Sequence, residues 1–308
     1  MAKYTNLDNS ETIFFQEELE HVKARTYDVQ YPELLFDKIF PISSDVPAAA
    51  ETFSYYQYDM VGHAKLIHNY SNDLPTFGAT GKKFTHDVYS LGVSFGYSMQ
   101  DIRAAAMAGK SLDQRLANAA RKAVLTKMND LAFFGDADTN MPKFISNPNI
   151  STYTVPADGT GSSKKWADKT PDQILRDINN AAQAVRTVTK SVEQVNTLLV
   201  PDAAYGLLAT TPRSSTSDTT ILDFLLRTSP WINSVVPCYE LAGSVNGGAD
   251  DCFILYNKSP EKLGFEIPQQ FEMFAAQQQG LYYEVPAHAR VGGMVLYAPK
   301  SIIQGDGI

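Results

Sequence analysis

The stretch NDLPTFGATGKKFTHDVYSL, Asn72 to Leu91, holds the residues best spaced for chemistry: spaced glycines, two lysines, then a histidine beside an aspartate. Such a loop could cradle phosphate, ligate a metal or touch a neighbouring molecule. A phosphate-binding loop needs Gly, four residues, then Gly-Lys-Ser/Thr opening a helix. Here Thr76 stands where the first glycine belongs, and Lys83 where the magnesium-binding hydroxyl belongs. The following FTHDVYSL reads as a strand, so the positive end of a helix that would hold phosphate is missing. The nucleotide reading fails.

The remaining chemical motifs fare no better. Asp136, Asp138 and Asn140 match the first three ligands of a calcium loop, but Met141 and Asn147 occupy the positions that require glycine and a bidentate glutamate. The segment reads as a polar helix exit. His63 and His68 lie in an irregular stretch, with no cysteine or carboxylate cluster to complete a zinc site. His21, His86 and His288 are equally isolated in sequence. No nucleophile elbow or family-type cysteine signature is present. Asp101 and Asp113 read as helix N-terminal charges. No catalytic, cofactor or metal residues are expected, and the chain is not read as an enzyme.

Lys+Arg is 26 against Asp+Glu 34, a net charge of −8, and no basic run exceeds Lys-Lys. A protein that neutralises nucleic-acid phosphates normally shows a basic face, so direct genome binding is not expected. No apolar run approaches the roughly 20 residues of a membrane helix, and the N-terminus lacks the order of a secretory signal. Cys238 and Cys252 are read as reduced thiols, and the Asn-x-Ser matches at Asn69, Asn149 and Asn257 as chance.

The pattern of elements is more informative. Residues 11–25 make a modest amphipathic helix, and VQYPELLFDKIFPISSDVP reads as extended. Phe53, Tyr55, Tyr56 and Tyr58 mark a strand by β-propensity. Its return limb begins at Lys82, Lys83 and Phe84. Phe84 and Val88 share one parity, whereas Leu91, Val93, Phe95 and Tyr97 share the other, which requires a bulge or bend near Tyr89 and Ser90. A connector from Gly62 to Gly81 joins the limbs. Ser98 with Asp101, and Ser111 with Gln114, open two helices closed by Gly109 and Gly135. The second helix carries an apolar stripe over more than about 30 Å at ~1.5 Å per residue. After a polar connector from Asp136 to Lys169, Thr170, Pro171 and Gln173 start another helix. NTLLVP, SVVPCYELAG, DCFILYN and FEMFAAQ are expected strands, DAAYGLLAT and TTILDFLLRT helices, and Asn246-Gly247 a turn. The chain closes on a strand pair with a Pro/Gly corner.

An extended arm, a long hairpin, a spine helix and a second α/β unit follow one another in this order. TFGATGKKFTHDVYSLGVSFGYSMQDIRAA, LDQRLANAARKAVLTKMNDLAFFGD, NTLLVPDAAYGLLAT and ARVGGMVLYAPKSIIQGDGI together resemble the major capsid proteins of tailed phages, the Hong Kong 97-type fold shared with encapsulin compartments. The resemblance implies an α+β fold with an N-arm (1–46), an E-loop hairpin (47–90), a P-domain (91–169 and 262–296) and an A-domain (170–261 and 297–308). It further implies self-assembly into hexamers and pentamers of an icosahedral head shell, with A-domains around five- and six-fold centres and E-loops over adjacent subunits. Portal, scaffolding or decoration proteins and enclosed double-stranded DNA are the implied partners, with no membrane. The virion, assembled in the host cytoplasm, is the implied location. Phe53, Tyr55, Tyr56, Tyr58, Lys65, Phe77, Lys82, Lys83 and Phe84 are the expected intersubunit contacts, because the hairpin carries too many aromatics for a free arm in water. An encapsulin-like compartment, a soluble oligomeric α/β enzyme and an adaptor protein are the alternatives.

Overall fold

The computed structural model describes residues 32–61, 65–66, 78–108, 112–214, 216, 218–247 and 250–308. The N-terminal helix expected at 11–25, most of the hairpin connector, Gly109 and Ser111 lie outside these.

A single helical turn, α1 (Phe36–Ile39), leads to β1 (Ile42–Ser43). The segment was expected to be wholly extended. The turn forms because Asn129 Oδ1 accepts both the Leu35 and Phe36 N–H, each at 3.2 Å, while Phe36 and Ile39 bury their side chains. The hairpin follows, β2 (Thr52–Val61) and β3 (Gly78–Asp87), then β4 (Tyr89–Ser98), α2 (Met99–Ala108) and the spine helix α3 (Leu112–Phe134). Gly78–Gly81, expected in the connector, belong to β3. At Gly81 a Cβ would stand 2.9 Å from the Tyr58 ring, so glycine lets that ring lie flat across the strand. The parity change falls at Val88, which is buried and donates its N–H to Glu51 O.

Ser98 and Asp101 cap α2 reciprocally: Asp101 Oδ2 accepts the Ser98 N–H at 3.0 Å, and Ser98 Oγ accepts the Asp101 N–H at 3.2 Å. The α3 helix ends at Gly135, whose φ of 61° is the left-handed conformation that glycine adopts without strain. Asp136 Oδ2 then accepts from the Thr139 N–H and hydroxyl, tying the polar exit into a tight turn closed by Asp136 and Met141.

Beyond this exit come β5 (Ser151–Thr154), α4 (Pro171–Val188), β6 (Thr197–Val200), α5 (Asp202–Thr210), α6 (Ile221–Thr228), β7 (Ser234–Pro237) and β8 (Cys252–Tyr256). The α4 capping box from Thr170 to Gln173 is present on both sides. The chain then runs through β9 (Leu263–Glu266), β10 (Gln269–Met273), β11 (Gln277–Gln279), β12 (Tyr282–Val291), β13 (Gly293–Leu296) and β14 (Ile303–Asp306). Pro286 does not break the last strand pair as expected. It sits within β12 opposite Ser94, and the corner falls at Gly292–Gly293. SVVPCYELAG is a strand only to Pro237, after which Tyr239–Leu241 turns as a 3-10 helix.

A five-stranded sheet in the order β5-β14-β8-β6-β7 divides two cores. Along β8, Ile254 and Tyr256 face the core of α1 and α3, while Phe253 and Leu255 face the core of α4, α5 and α6. A strand covered on both faces reads as an unbroken apolar run, which is why CFILY and TLLV stand out in the sequence. The second long sheet pairs β4 with β12 over ten residues and carries β10 and β11 on the other side of β12. Leu34–Ile308 forms one compact unit.

Asn129 joins the parts. Its Nδ2 donates to the buried Glu240 Oε1 at 2.6 Å, while its Oδ1 holds the start of α1. Asn129→Ala leaves two N–H groups and a carboxylate oxygen without this partner, each costing about 1–3 kcal/mol where water cannot enter. A loss of roughly 2–4 kcal/mol is expected in a urea titration of the subunit. A loss under about 0.5 kcal/mol would show that the joint is not structural.

Candidate intersubunit interface

The hairpin is positioned by its register. Phe53 lies opposite His86, Tyr55 opposite Phe84, Tyr56 opposite Lys83 and Tyr58 opposite Gly81. Directly opposed residues share a face, so the expected contact residues divide into two sets.

The first face stacks inward at the root. Phe53 stacks on His86 with centroids 5.3 Å apart, and Tyr55 on Phe84 at 5.1 Å. Tyr55 also meets the Tyr297 ring edge-on at 4.9 Å. A Cβ at Gly292 would stand 2.8 Å from Phe53, so glycine there admits the ring. Thus Phe53, Tyr55 and Phe84 are half-buried within their own subunit, and part of the aromatic surface is already covered. Burial pushes the Tyr55 hydroxyl up in pKa. Tyr297 is pushed up to about 12 by burial and by Glu266, whose Oε1 accepts its hydroxyl at 3.3 Å. Desolvation lowers His86, with Asp87 opposing it.

Among the described residues the second face has no such cover. Tyr56 and Tyr58 stack on each other at 6.3 Å, yet remain 60% and 64% exposed. Lys83 stands beside Tyr56 in register, and Lys82 Nζ rests 4.8 Å over the Phe84 ring from the first face. Lys65 is exposed beyond the strands, and Phe77 lies outside the described residues. A groove of about 490 Å³ runs between the hairpin root and the body, lined by Tyr55, Tyr56, Glu193, Glu261, Lys262 and Tyr297 among others. His86 was read from the sequence only as an isolated histidine, and Tyr297, Glu266 and Gly292 were not singled out at all. The folded contacts reveal the last three, because they come from distant segments.

Among the described residues no three His, Cys, Asp or Glu side chains gather as a metal site would need, and no helix is long and apolar enough to cross a membrane. Cys238 and Cys252 are free and buried. Burial raises the pKa of both thiols, that of Cys252 to about 12.

The sequence model of the family described as "Major capsid protein" matches residues 62–308. The chain belongs to this family. Among solved structures, the capsid of Myoviridae phage XM1 is 16% identical and superimposes with a TM-score of 0.83 over 96% of this chain and 99% of that one. A chain of Mycobacterium phage Bobi is 15% identical, with a TM-score of 0.62 over 94% and 96%. A virus-like particle from Pyrococcus furiosus is 12% identical, with a TM-score of 0.53 over 87% and 90%. No curated protein sequence matches. The fold is the Hong Kong 97-type capsid fold, as the order of elements implied. The chain is a major capsid protein, a structural subunit that builds a capsid shell with its own copies. The soluble-enzyme alternative is disfavoured by this membership.

Proposed function

We propose that this major capsid protein walls the head of a tailed double-stranded DNA phage, with the β2–β3 hairpin as the clasp between copies. The uncovered face of that hairpin, with stacked but exposed Tyr56 and Tyr58, carries the reading. A two-stranded ribbon is marginal alone in water, and a neighbouring copy supplies the apolar surface that this face lacks. The shell assembles in the host cytoplasm, receives its genome through a portal, and works with scaffolding or decoration proteins where present. In this reading, residues 1–46 form the arm, 47–90 the clasp, 91–169 with 262–296 the peripheral domain, and 170–261 with 297–308 the domain around ring centres. Contacts between unlike patches generate closed rings, and many weak contacts add up across a shell.

The test is to image the overexpressed chain by negative stain and to analyse the contents of particles from infected cells. Closed shells of uniform size, with absorbance at 260 nm dominating in the native particles, are expected. The likeness to the Pyrococcus furiosus particle keeps a cargo-holding compartment as the second reading, for which the contents would be protein. A small oligomer without shells would overturn both.

A further inference from the structure

On the α4–α6 side of the five-stranded sheet lies a cavity for which the shell reading has no use. It measures about 260 Å³ and is lined by Leu175 and Asn179 of α4, Phe224 and Leu225 of α6, and the Pro230–Trp231 turn, among others. The elements that frame it are fixed from beneath. Leu175 and Leu225 belong to the second core, and the Thr220 hydroxyl caps α6 by accepting the Asp223 N–H at 3.2 Å. Ser229 Oγ accepts the Ile232 N–H at 3.2 Å and so holds the turn. The pocket is built by the fold, not opened by a loose loop.

Two arginines lie on its aromatic walls. The Arg213 guanidinium stands 4.4 Å over the Phe224 ring, and that of Arg186 stands 5.6 Å over the Trp231 ring. In each the Nε is buried and finds no acceptor among the described residues. A buried donor without an acceptor is costly, and native structures keep few of them. Two on the walls of one cavity point to an acceptor that a partner brings. Their charges differ in cover. Arg213 is paired with Asp172 at 3.0 Å, and Asp223 is held by Arg227 at 3.0 Å. Arg186 pairs with no carboxylate among the described residues, so the rim carries a positive charge without a counter-charge.

Volume and charge define the occupant. Pockets that enclose whole small molecules run to about 300–1,000 Å³. This one takes a single side chain, the kind of buried anchor that carries most of the energy of a protein contact. A nucleic acid would ask for a broader basic face. An aromatic or leucine side chain fits the apolar walls, and a carboxylate beside it satisfies Arg186 through charge-assisted hydrogen bonds. We propose that the α4–α6 pocket anchors an acidic segment of a second protein, with its apolar side chain between Phe224 and Trp231 and its carboxylate on Arg186. The site serves a protein that attaches to the shell, and it stands or falls apart from the hairpin clasp.

Short peptides test it. The tripeptide Glu-Phe-Glu, blocked at both ends, is titrated into the unassembled subunit and followed by tryptophan emission. Trp231 lines the pocket, whereas Trp166 is buried in the core. The acidic peptide is expected to bind about 10-fold more tightly than Gln-Phe-Gln, as one charge-assisted hydrogen bond provides. Glu-Ala-Glu is expected to leave the emission unchanged. Arg186→Gln should abolish the preference for the acidic peptide while Gln-Phe-Gln binds as before, which shows that the variant keeps its pocket. On the unaltered chain, added salt should weaken only the acidic peptide. Glu-Phe-Glu should also co-sediment with assembled shells. No binding, equal binding of the acidic and neutral peptides, or a preference that both Arg186→Gln and salt leave intact overturns the proposal. So does binding to the subunit but not to the shell, because a neighbouring copy then covers the pocket.

Discussion

Lys169→Met is expected to destabilise the subunit by about 3–5 kcal/mol, the usual effect of removing one partner of a buried ion pair. Lys169 and Asp177 have fully buried side chains, with Nζ 2.5 Å from Asp177 Oδ2. Nζ also donates to Pro156 O at 2.8 Å and lies 3.2 Å from Asp158 Oδ1. The ammonium therefore pins the end of the polar connector to the first turns of α4, beside the second core. Methionine fills much of the same volume but leaves Asp177 with a single cation, Arg176, whose Nη2 is 3.0 Å from Oδ1. Arg176 is 42% exposed on its side chain and well hydrated, so it offsets only part of the loss. Lys169→Met with Asp177→Leu is expected to recover most of the stability, because a hydrophobic pair of similar volume escapes the desolvation of two ions. Urea titration of the unassembled subunit, followed by the fluorescence of Trp166 and Trp231, measures both. The effect should barely change with salt, since a buried pair is poorly screened. A loss below about 1 kcal/mol would mean that water reaches the pair.

How much of this was legible in the sequence follows from how far apart the interacting residues lie. The Thr170–Gln173 and Ser98–Asp101 caps and the Gly135 exit are local, and the structure has all three. The spine helix was legible because its apolar stripe recurs over many turns, and β6 and β8 because both faces of each are buried. Strands β5, β9 and β14 were not. Each is only four residues long, and each exists because of a distant partner: β5 pairs with β14, and β9 pairs with β1 and β13. SVVPCYELAG was read too long because Cys238 to Leu241 is apolar enough for a strand, yet the buried Glu240 must reach Asn129 and Cys238. The candidate interface was half legible. Aromatic crowding on β2 was visible, but which rings face the body depends on the pairing of Phe53 with His86 and on Tyr297, more than two hundred residues away.

Joining Val61 to Gly78 through Asn-Gly, in place of residues 62–77, is expected to leave a folded subunit that no longer forms shells. Val61 and Gly78 are the last described pair of the ribbon, and Asn-Gly favours the tight turn that closes two antiparallel strands. The root stacking of Phe53, Tyr55, Phe84 and His86 is untouched, so the thermal midpoint should move little. The finer variant, Tyr56→Ser with Tyr58→Ser, keeps the ribbon at full length and removes only its uncovered rings. Buried interface tyrosines are often worth about 2 kcal/mol or more each. Losing both would raise the concentration needed for assembly by about 100-fold or more, given tenfold per 1.4 kcal/mol. Because both rings are more than half exposed in the subunit, monomer stability should stay within about 0.5 kcal/mol, as for ordinary surface substitutions. The two quantities separate the possibilities. Lost assembly with intact stability places the tyrosines between copies, whereas lost stability with intact assembly would mean that they fold back onto their own chain. Sedimentation across a concentration series, with melting curves on the same samples, reads both at once.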